Sequence, residues 1–158
     1  MCRHIGYIGS EECLYNVLLN KKHSLSNMAF NPKEMKNAKL NADGFGIAWA
    51  YENLFFMYKS SLPIWNDINL IPVTKNLSSK LILANVRSAT LPDDVSYNNT
   101  HPFKYKNFLF SHNGFIKNFN FSHKKNILKN IDPELLSSLK GNTDSECIFF
   151  LFLHVYQK

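Results

Sequence analysis

The chain has 158 residues, 45% of them hydrophobic, which is enough to bury a core and predicts a single domain over 1–158. Its formal net charge is +6, but the lysines are scattered and form no basic block, so the charge pattern argues against nucleic acid as a partner. The longest apolar run, CIFFLFLHVY, is too short to span a bilayer, and the first residues lack the pattern of a signal peptide, so neither a membrane nor export is expected.

The three cysteines, Cys2, Cys13 and Cys147, form no CxxC pair and no Cys/His set with zinc spacing. Their odd number argues against a disulfide framework. A reducing, cytoplasmic location is therefore expected, and no metal site is predicted.

The start of the chain predicts a strand followed by a helical segment. CRHIGYIG alternates loosely and ends at a glycine, which is typical of a strand whose first residue is Cys2. In the next segment, 13–30, the residues Leu14, Val17 and Leu18 have helical spacing. We expect that segment to begin as a helix.

The middle of the chain predicts strands joined by turns and one long loop. Residues 41–60 indicate a hairpin with a short turn at 52–53. The apolar runs at 79–89 and 107–116 are both interpreted as interior strands with polar, functional ends. The polar segment between them, 90–106, contains two prolines and is predicted to be a loop.

The last third predicts helices. Residues 121–139 indicate one or two polar helices, with Pro133 at a helix start. Thr143 is followed three residues later by Glu146, a capping-box pattern that opens an apolar helix. The mixture of hairpin-like strands with flanking helices favours the α+β class.

Cys2 has two interpretations. If Met1 is removed, the α-amine of Cys2 has a reference pKa of about 7.7 to 8.0 and can take the thiol proton, so that one residue supplies both nucleophile and base. Alternatively, Cys2 packs as a small apolar residue at a strand start. Position alone favours packing, so other residues must decide.

Three further motifs offer matching chemistry, each with a structural alternative. Asn113 and Gly114, in SHNG, can donate N–H groups to an oxyanion or form an ordinary Asn-Gly turn. Arg87, at the end of an apolar strand, can clamp a substrate α-carboxylate, or it can make an internal salt bridge or be a surface arginine at a strand end. Asp144 can accept from a substrate ammonium or only stabilise the helix start, and by itself the cap is favoured.

Taken together, these residues resemble the class II glutamine amidotransferases, which belong to the N-terminal-nucleophile hydrolases. Each matching segment is short, but their joint order across nearly the whole chain is specific. The similarity is greatest to the stand-alone γ-glutamyl amidohydrolases of ergothioneine synthesis and glutathione degradation. The segments are MCR at the start, NADGFG at 41–46, VRSAT at 86–90, HPF at 101–103, SHNG at 111–114 and NTDSE at 142–146.

The resemblance implies a role for each matched residue. Cys2 would be the nucleophile, and Asn113 with Gly114 would form the oxyanion hole. Arg87 would hold the substrate carboxylate and Asp144 its α-amino group. The remaining matched residues would line or support the pocket: Ser88 and Thr90 beside the arginine, and Asp43, His101 and His112 as supporting groups.

The resemblance also implies a fold and an activity. The fold is a four-layer αββα sandwich, and the activity is hydrolysis of a γ-glutamyl amide through a cysteine thioester, with no cofactor and no metal. Stand-alone members usually continue beyond this point, so the chain is expected to be incomplete at its C-terminus or completed by a partner chain. The alternative function is a non-catalytic or partner-dependent binding module.

Overall fold

A computed structural model describes residues 2–30, 40–89 and 94–157 of the chain, and Thr90 of the predicted pocket lies outside these residues. The chain divides into two compact units, Met1–Ser111 and His112–Lys158. Both strands and α-helices are present, so the α+β expectation is confirmed. The first unit contains β1 (Arg3–Cys13), α1 (Leu25–Phe30), β2 (Phe45–Tyr51), β3 (Leu54–Ser60), α2 (Leu70–Lys75), β4 (Ser78–Val86), β5 (Phe103–Tyr105) and β6 (Phe108–Phe110).

The main sheet of the first unit has the strand order β1-β4-β2-β3, and all its neighbours are antiparallel. Val86, at the end of β4, is paired with Arg3 at the start of β1 and with Phe45 at the start of β2. The antiparallel register therefore places two strand starts and one strand end at the same end of the sheet. Cys2 and Arg87 lie directly outside β1 and β4 at this end, and Asp43 lies two residues before β2.

One face of this sheet carries the core of the first unit. Phe45, Ile47 and Ile82 are almost fully buried there, because alternate residues of β2 and β4 point to the same side. The helical segments contribute Leu18 and Leu25, which are also fully buried. The predicted helical spacing at the start of 13–30 is thus confirmed, and a π-helical turn spans Asn16–Asn20.

The sequence predictions for the sheet are confirmed at β1, β4 and the β2–β3 hairpin, whose turn places Glu52 at a positive φ of 52°. β1 is longer than expected, since it continues past Gly9 to Cys13 through an irregularity in its pairing between Ile8 and Glu12. The pairing with β4 resumes at Glu12, which explains why the glycine does not end the strand.

Two predictions about the segment after β4 were wrong. The apolar run 107–116 is not an interior strand, because only Phe108–Phe110 is extended and these residues are half-buried. The stretch 90–106 is not entirely a loop, since Phe103–Tyr105 forms a strand. This strand pairs with Phe108–Phe110 in a separate two-stranded sheet. An apolar run can form its backbone hydrogen bonds in a short hairpin as well as inside a large sheet, and its composition does not distinguish these two structures.

The second unit is helical. A π-helical turn at Phe119–His123 precedes three helices, and Pro133 lies in the first turn of the second, as predicted. In the last helix, the Thr143 Oγ1 accepts a hydrogen bond from the Glu146 N–H at 3.2 Å, so the predicted cap is confirmed. These helices are α3 (Lys124–Lys129), α4 (Pro133–Leu136) and α5 (Asp144–Tyr156).

Within residues 2–30, 40–89 and 94–157, no helix combines the length and the apolar character that crossing a membrane requires. Within the same ranges, no group of three or more His, Cys, Asp or Glu side chains is arranged so that it could hold a metal ion.

Candidate active site

Cys2 lies at the end of the main sheet, immediately before β1. Its sulfur accepts a hydrogen bond from the backbone N–H of Ser88 at 3.5 Å, and it lies 3.8 Å from the carbonyl oxygen of the same residue. The Cys2 side chain is only partly buried.

Arg87 is the residue that follows β4, and only 6% of it is exposed. Its Nη1 donates to the carbonyl oxygen of Asp94 at 2.6 Å, which is the one hydrogen bond that the guanidinium makes to the described residues. Burial lowers the pKa of Arg87, and the negative charges of Cys2, Asp94 and Asp43 partly oppose this effect. A guanidinium has five N–H donors, so most of them remain for a bound carboxylate.

Asp43 connects the turn before β2 to the segment after β4. Its carboxylate Oδ2 accepts from the backbone N–H of Ala89 at 2.7 Å, and its own N–H donates to the Arg87 carbonyl at 3.1 Å. The Arg87 N–H in turn donates to the Gly44 carbonyl at 2.8 Å. These three hydrogen bonds hold the backbone on both sides of Arg87 and Ser88 in one arrangement.

The loop that precedes β5 packs closely on the β2–β3 hairpin. His101 is buried, and its ring lies 4.6 Å from that of Phe103 in an edge-to-face contact. A side chain at Gly46 would overlap the carbonyl oxygen of His101, so the loop can approach β2 only where that strand has glycine. Lys59 donates to the Thr100 carbonyl oxygen at 2.8 Å and holds the same loop from β3.

Asn113 and Gly114 lie in the second unit, in an exposed segment ahead of its helices. The carboxylate of Asp144, at the start of α5, accepts from the backbone N–H of Ile116 at 2.5 Å through Oδ2. Its Oδ1 accepts from the backbone N–H of Ser145 at 2.7 Å. Asp144 therefore fastens the segment that carries Asn113 and Gly114 to the N-terminus of α5, in addition to its favourable charge at a helix start.

His112 has a hydroxyl partner in α5. Its Nδ1 lies 3.0 Å from Ser145 Oγ, and that oxygen lies 3.2 Å from Asp144 Oδ1. Ser145 is 5% exposed, so the hydroxyl in the middle of this chain is shielded from water, whereas His112 and Asp144 are half-buried. The next residue, Glu146, is also buried and accepts from the backbone N–H groups of Lys140 and Gly141 at 3.1 and 2.7 Å.

The comparison with protein families gives a match over most of the chain. The sequence model of the class-II glutamine amidotransferases matches residues 15–158. The chain belongs to this family. The resemblance carried by the short motifs is thus confirmed, and the matched range runs from residue 15 of the first compact unit through the second.

Individual class-II amidotransferases and related hydrolases agree with this assignment. The chain is 35% identical over 167 aligned residues to the probable glutamine amidotransferase DUG3 of Saccharomyces cerevisiae, which covers 100% of this chain and 46% of that protein. It is 32% identical over 116 residues to the gamma-glutamyl-hercynylcysteine sulfoxide hydrolase of Mycobacterium tuberculosis, covering 73% of this chain and 50% of that protein. The chain spans about half the length of these relatives.

A solved class-II structure has the same fold. It is a glutamine aminotransferase class-II domain protein from Silicibacter pomeroyi, with a TM-score of 0.68 and 28% sequence identity. The alignment covers 96% of this chain and 54% of that one.

The amidotransferase motifs fall into two groups in the structure. The first unit brings together Cys2, Asp43, Arg87 and Ser88 at one end of the sheet, with His101 in the loop that packs on β2. The second unit brings together His112, Asn113, Gly114 and Asp144 around the start of α5.

Sequence reasoning missed two contributors to these groups. One is the Asp94 carbonyl oxygen, which accepts a hydrogen bond from Arg87. Nothing in a loop sequence indicates such a backbone acceptor. The other is Ser145, whose hydroxyl contacts His112. The sequence did offer a signal for Ser145, because it is a polar residue on the first turn of an apolar helix, directly after Asp144.

Proposed function

We propose that this chain hydrolyses the γ-glutamyl amide bond of glutamine or of a γ-glutamyl compound, with Cys2 as the nucleophile. The observation that carries the proposal is the hydrogen bond from the Ser88 N–H to the Cys2 sulfur, beside the buried guanidinium of Arg87. Family membership supports it, since the relatives named above are an amidotransferase and a gamma-glutamyl hydrolase. We place both compact units in one amidotransferase domain, because the family match begins at residue 15 of the first unit and continues through the second.

The proposed reaction begins once Met1 has been removed. The Cys2 α-amine takes the thiol proton, directly or through water, and the thiolate attacks the γ-carbonyl carbon. The carbonyl oxygen becomes an oxyanion, which accepts from the Asn113 side-chain N–H and the Gly114 backbone N–H. The C–N bond then breaks, the amine leaves with the proton, and the acyl group remains on sulfur. Water hydrolyses this thioester, releasing glutamate and restoring the thiol.

The other assigned residues act on the part that all these substrates share. Arg87 binds the α-carboxylate, Asp144 binds the α-ammonium, and Ser88 lines the pocket beside the arginine; the resemblance of the VRSAT motif assigns Thr90 the same role. Asp43 and His101 support the backbone of the first group of residues, and His112 supports that of the second. Because these groups recognise only the glutamyl moiety, the substrate is assigned as a class and the leaving amine is left open.

The test is a combined mass measurement and assay of the purified chain. The intact mass should show a chain that begins at Cys2, and diazo-oxo-norleucine, a glutamine-like electrophile, should label that residue. The chain should release glutamate from at least one member of a panel of γ-glutamyl amides. Cys2→Ala should abolish labelling and turnover. Cys13→Ala is the matched control, since Cys13 is also partly buried at an end of β1, and it should retain both.

Two outcomes would contradict the proposal. Retention of Met1 in an active chain would exclude the α-amine of Cys2 as the base. A chain that begins at Cys2 and binds glutamine, but releases no glutamate from any compound of the panel, would support the binding module instead.

A further inference from the structure

The start of α5 contains a hydroxyl group held between an acid and an imidazole. Ser145 Oγ lies 3.2 Å from the Asp144 Oδ1 and 3.0 Å from the His112 Nδ1. All three residues belong to the His112–Lys158 unit, and Ser145 is almost fully buried. The proposed function gives His112 and Asp144 roles but none to the serine that joins them.

The number of protons determines the state of the imidazole. A serine hydroxyl has one proton to donate, and an ionised carboxylate can only accept. The Ser145 proton therefore goes to Asp144, and Ser145 Oγ must accept from the nitrogen on its other side. This requires the proton of neutral His112 to be on Nδ1, which leaves the lone pair on Nε2.

The same ring is packed against Gly114. A Cβ built on Gly114 would lie 2.8 Å from the His112 Nε2 and 2.9 Å from its Cε1, so the ring edge opposite Ser145 faces the glycine backbone. Asp144 holds the segment a second time, through the N–H of Ile116. The Asp144–Ser145 pair thus fixes both ends of the segment that contains Asn113 and Gly114.

We propose that Ser145 is a positioning residue for the Asn113–Gly114 donors. It holds His112 in the Nδ1–H tautomer and fixes the ring against Gly114, so that the backbone and side chain next to the ring keep one orientation. Preorganised donors are what an oxyanion hole requires, because donors that must first reorient lose much of their effect. The catalytic consequence rests on the proposed function, whereas the tautomer and the ring position do not.

The tautomer can be measured without any activity. Long-range proton–nitrogen NMR spectra of the chain labelled with nitrogen-15 histidine, recorded above the histidine titration range, show which ring nitrogen carries the proton. We expect His112 to be protonated at Nδ1, its signal being assigned by its loss in His112→Gln. Ser145→Ala should shift the signal to the Nε2–H form or to a mixture, and Ser145→Thr should restore it. An Nε2–H tautomer in the unmodified chain, or no change in Ser145→Ala, would overturn the proposal.

Kinetics then tests the positioning role. Ser145→Ala should lower kcat by about 10-fold with little change in KM, less than the roughly 10² to 10³ typical of removing an oxyanion donor itself. Ser145→Thr should recover most of kcat. Ser137→Ala is the control, because that exposed serine only donates to the Glu134 carbonyl oxygen, and it should change neither parameter.

The two proposals fail in different ways. If the chain has no hydrolase activity, the tautomer shift in Ser145→Ala still supports the structural part of this inference. If the chain is active and Ser145→Ala matches the unmodified enzyme in both spectrum and kcat, Ser145 has no positioning role while the proposed function stands.

Discussion

The sulfur of Cys2 and the backbone N–H of Ser88 are 86 positions apart in sequence and 3.5 Å apart in the structure. They meet because β1 and β4 are antiparallel neighbours, so that the start of one strand lies beside the end of the other. The same end of the sheet carries Arg87. Strand pairing thereby places the Cys2 thiol and the Arg87 guanidinium, to which we assign the attack and the binding of the substrate carboxylate, at the same end of the sheet.

Arg87→Lys should weaken substrate binding. Lysine keeps the positive charge but loses the two parallel N–H groups that match a carboxylate. A hydrogen bond to a charged group contributes about 1.5 to 3 kcal/mol, so we expect KM for glutamine-like amides to rise by roughly 10- to 150-fold. The measurement is a comparison with an amide that lacks the α-carboxylate, for which the variant and the unmodified chain should differ little. An equal rise for both amides would point to a general loss of folding.

Asn113→Ala should reduce kcat by about 10² to 10³, because it removes one donor to the oxyanion. Asn113 is exposed and the substitution leaves no cavity, so the midpoint of denaturant unfolding should stay the same. Steady-state kinetics and an unfolding curve measure the two effects separately. Normal activity in this variant would remove Asn113 from the oxyanion hole.

Asp43→Ala should destabilise the first unit, since it leaves the Ala89 N–H without the carboxylate that now accepts it at 2.7 Å. Losing one partner of a buried hydrogen bond costs about 1 to 3 kcal/mol, and this site is half-buried, so the lower part of the range is expected. Asp43→Asn retains a carbonyl acceptor of the same shape and should cost less. Urea unfolding of the two variants measures the difference, and equal losses would show that the carboxylate charge matters more than the hydrogen bond.

Gly46→Ala should be destabilising, because the added methyl group would overlap the His101 carbonyl oxygen and force the loop away from β2. Overpacking of this kind typically costs about 1 to 3 kcal/mol. Gly6→Ala is a matched control in β1, where an added Cβ would meet nothing within 4 Å. It should be neutral or raise the free energy of unfolding, since glycine weakens strands. Thermal unfolding of both variants tests the contrast, and equal Tm values would contradict the close packing of the loop.

The contribution of Tyr58 to the free energy of unfolding should decrease as the pH rises in the alkaline range. Its hydroxyl donates to Asp67 Oδ2 at 2.7 Å, and burial together with this carboxylate raises its pKa to about 12, above the ordinary value of 10.0. The folded chain thus holds the phenol proton more tightly than the unfolded chain does. The stabilisation is complete below pH 10.0 and declines as the pH rises to about 12.

The matching variant is Tyr58→Phe, which has no proton to lose. Its free energy of unfolding should be lower than that of the unmodified chain at neutral pH, and the difference should shrink through this alkaline window. Urea unfolding at several pH values measures it. A difference that stays constant with pH would show that the pKa of Tyr58 is not raised by folding.

Local patterns in the sequence predicted the elements that are long or capped. The alternation in β1, the hairpin turn at Glu52 and the Thr143 cap each depend on residues within a few positions of one another, so they can be interpreted without knowing the rest of the fold. β5 and β6 could not be predicted in this way. Each has three residues, and their pairing, not their composition, makes them strands.

The sequence by itself determined the family: the order and type of the motif residues were sufficient to indicate it, and the comparisons confirmed it. Only the tertiary structure decided which groups meet. The register of β1 and β2 against β4 brings Cys2 to Ser88 and Asp43 to Ala89, and the packing of α5 brings Ser145 to His112. The physical reason is that side-chain chemistry is a property of each residue, whereas strand register and helix packing depend on burial summed over the whole unit.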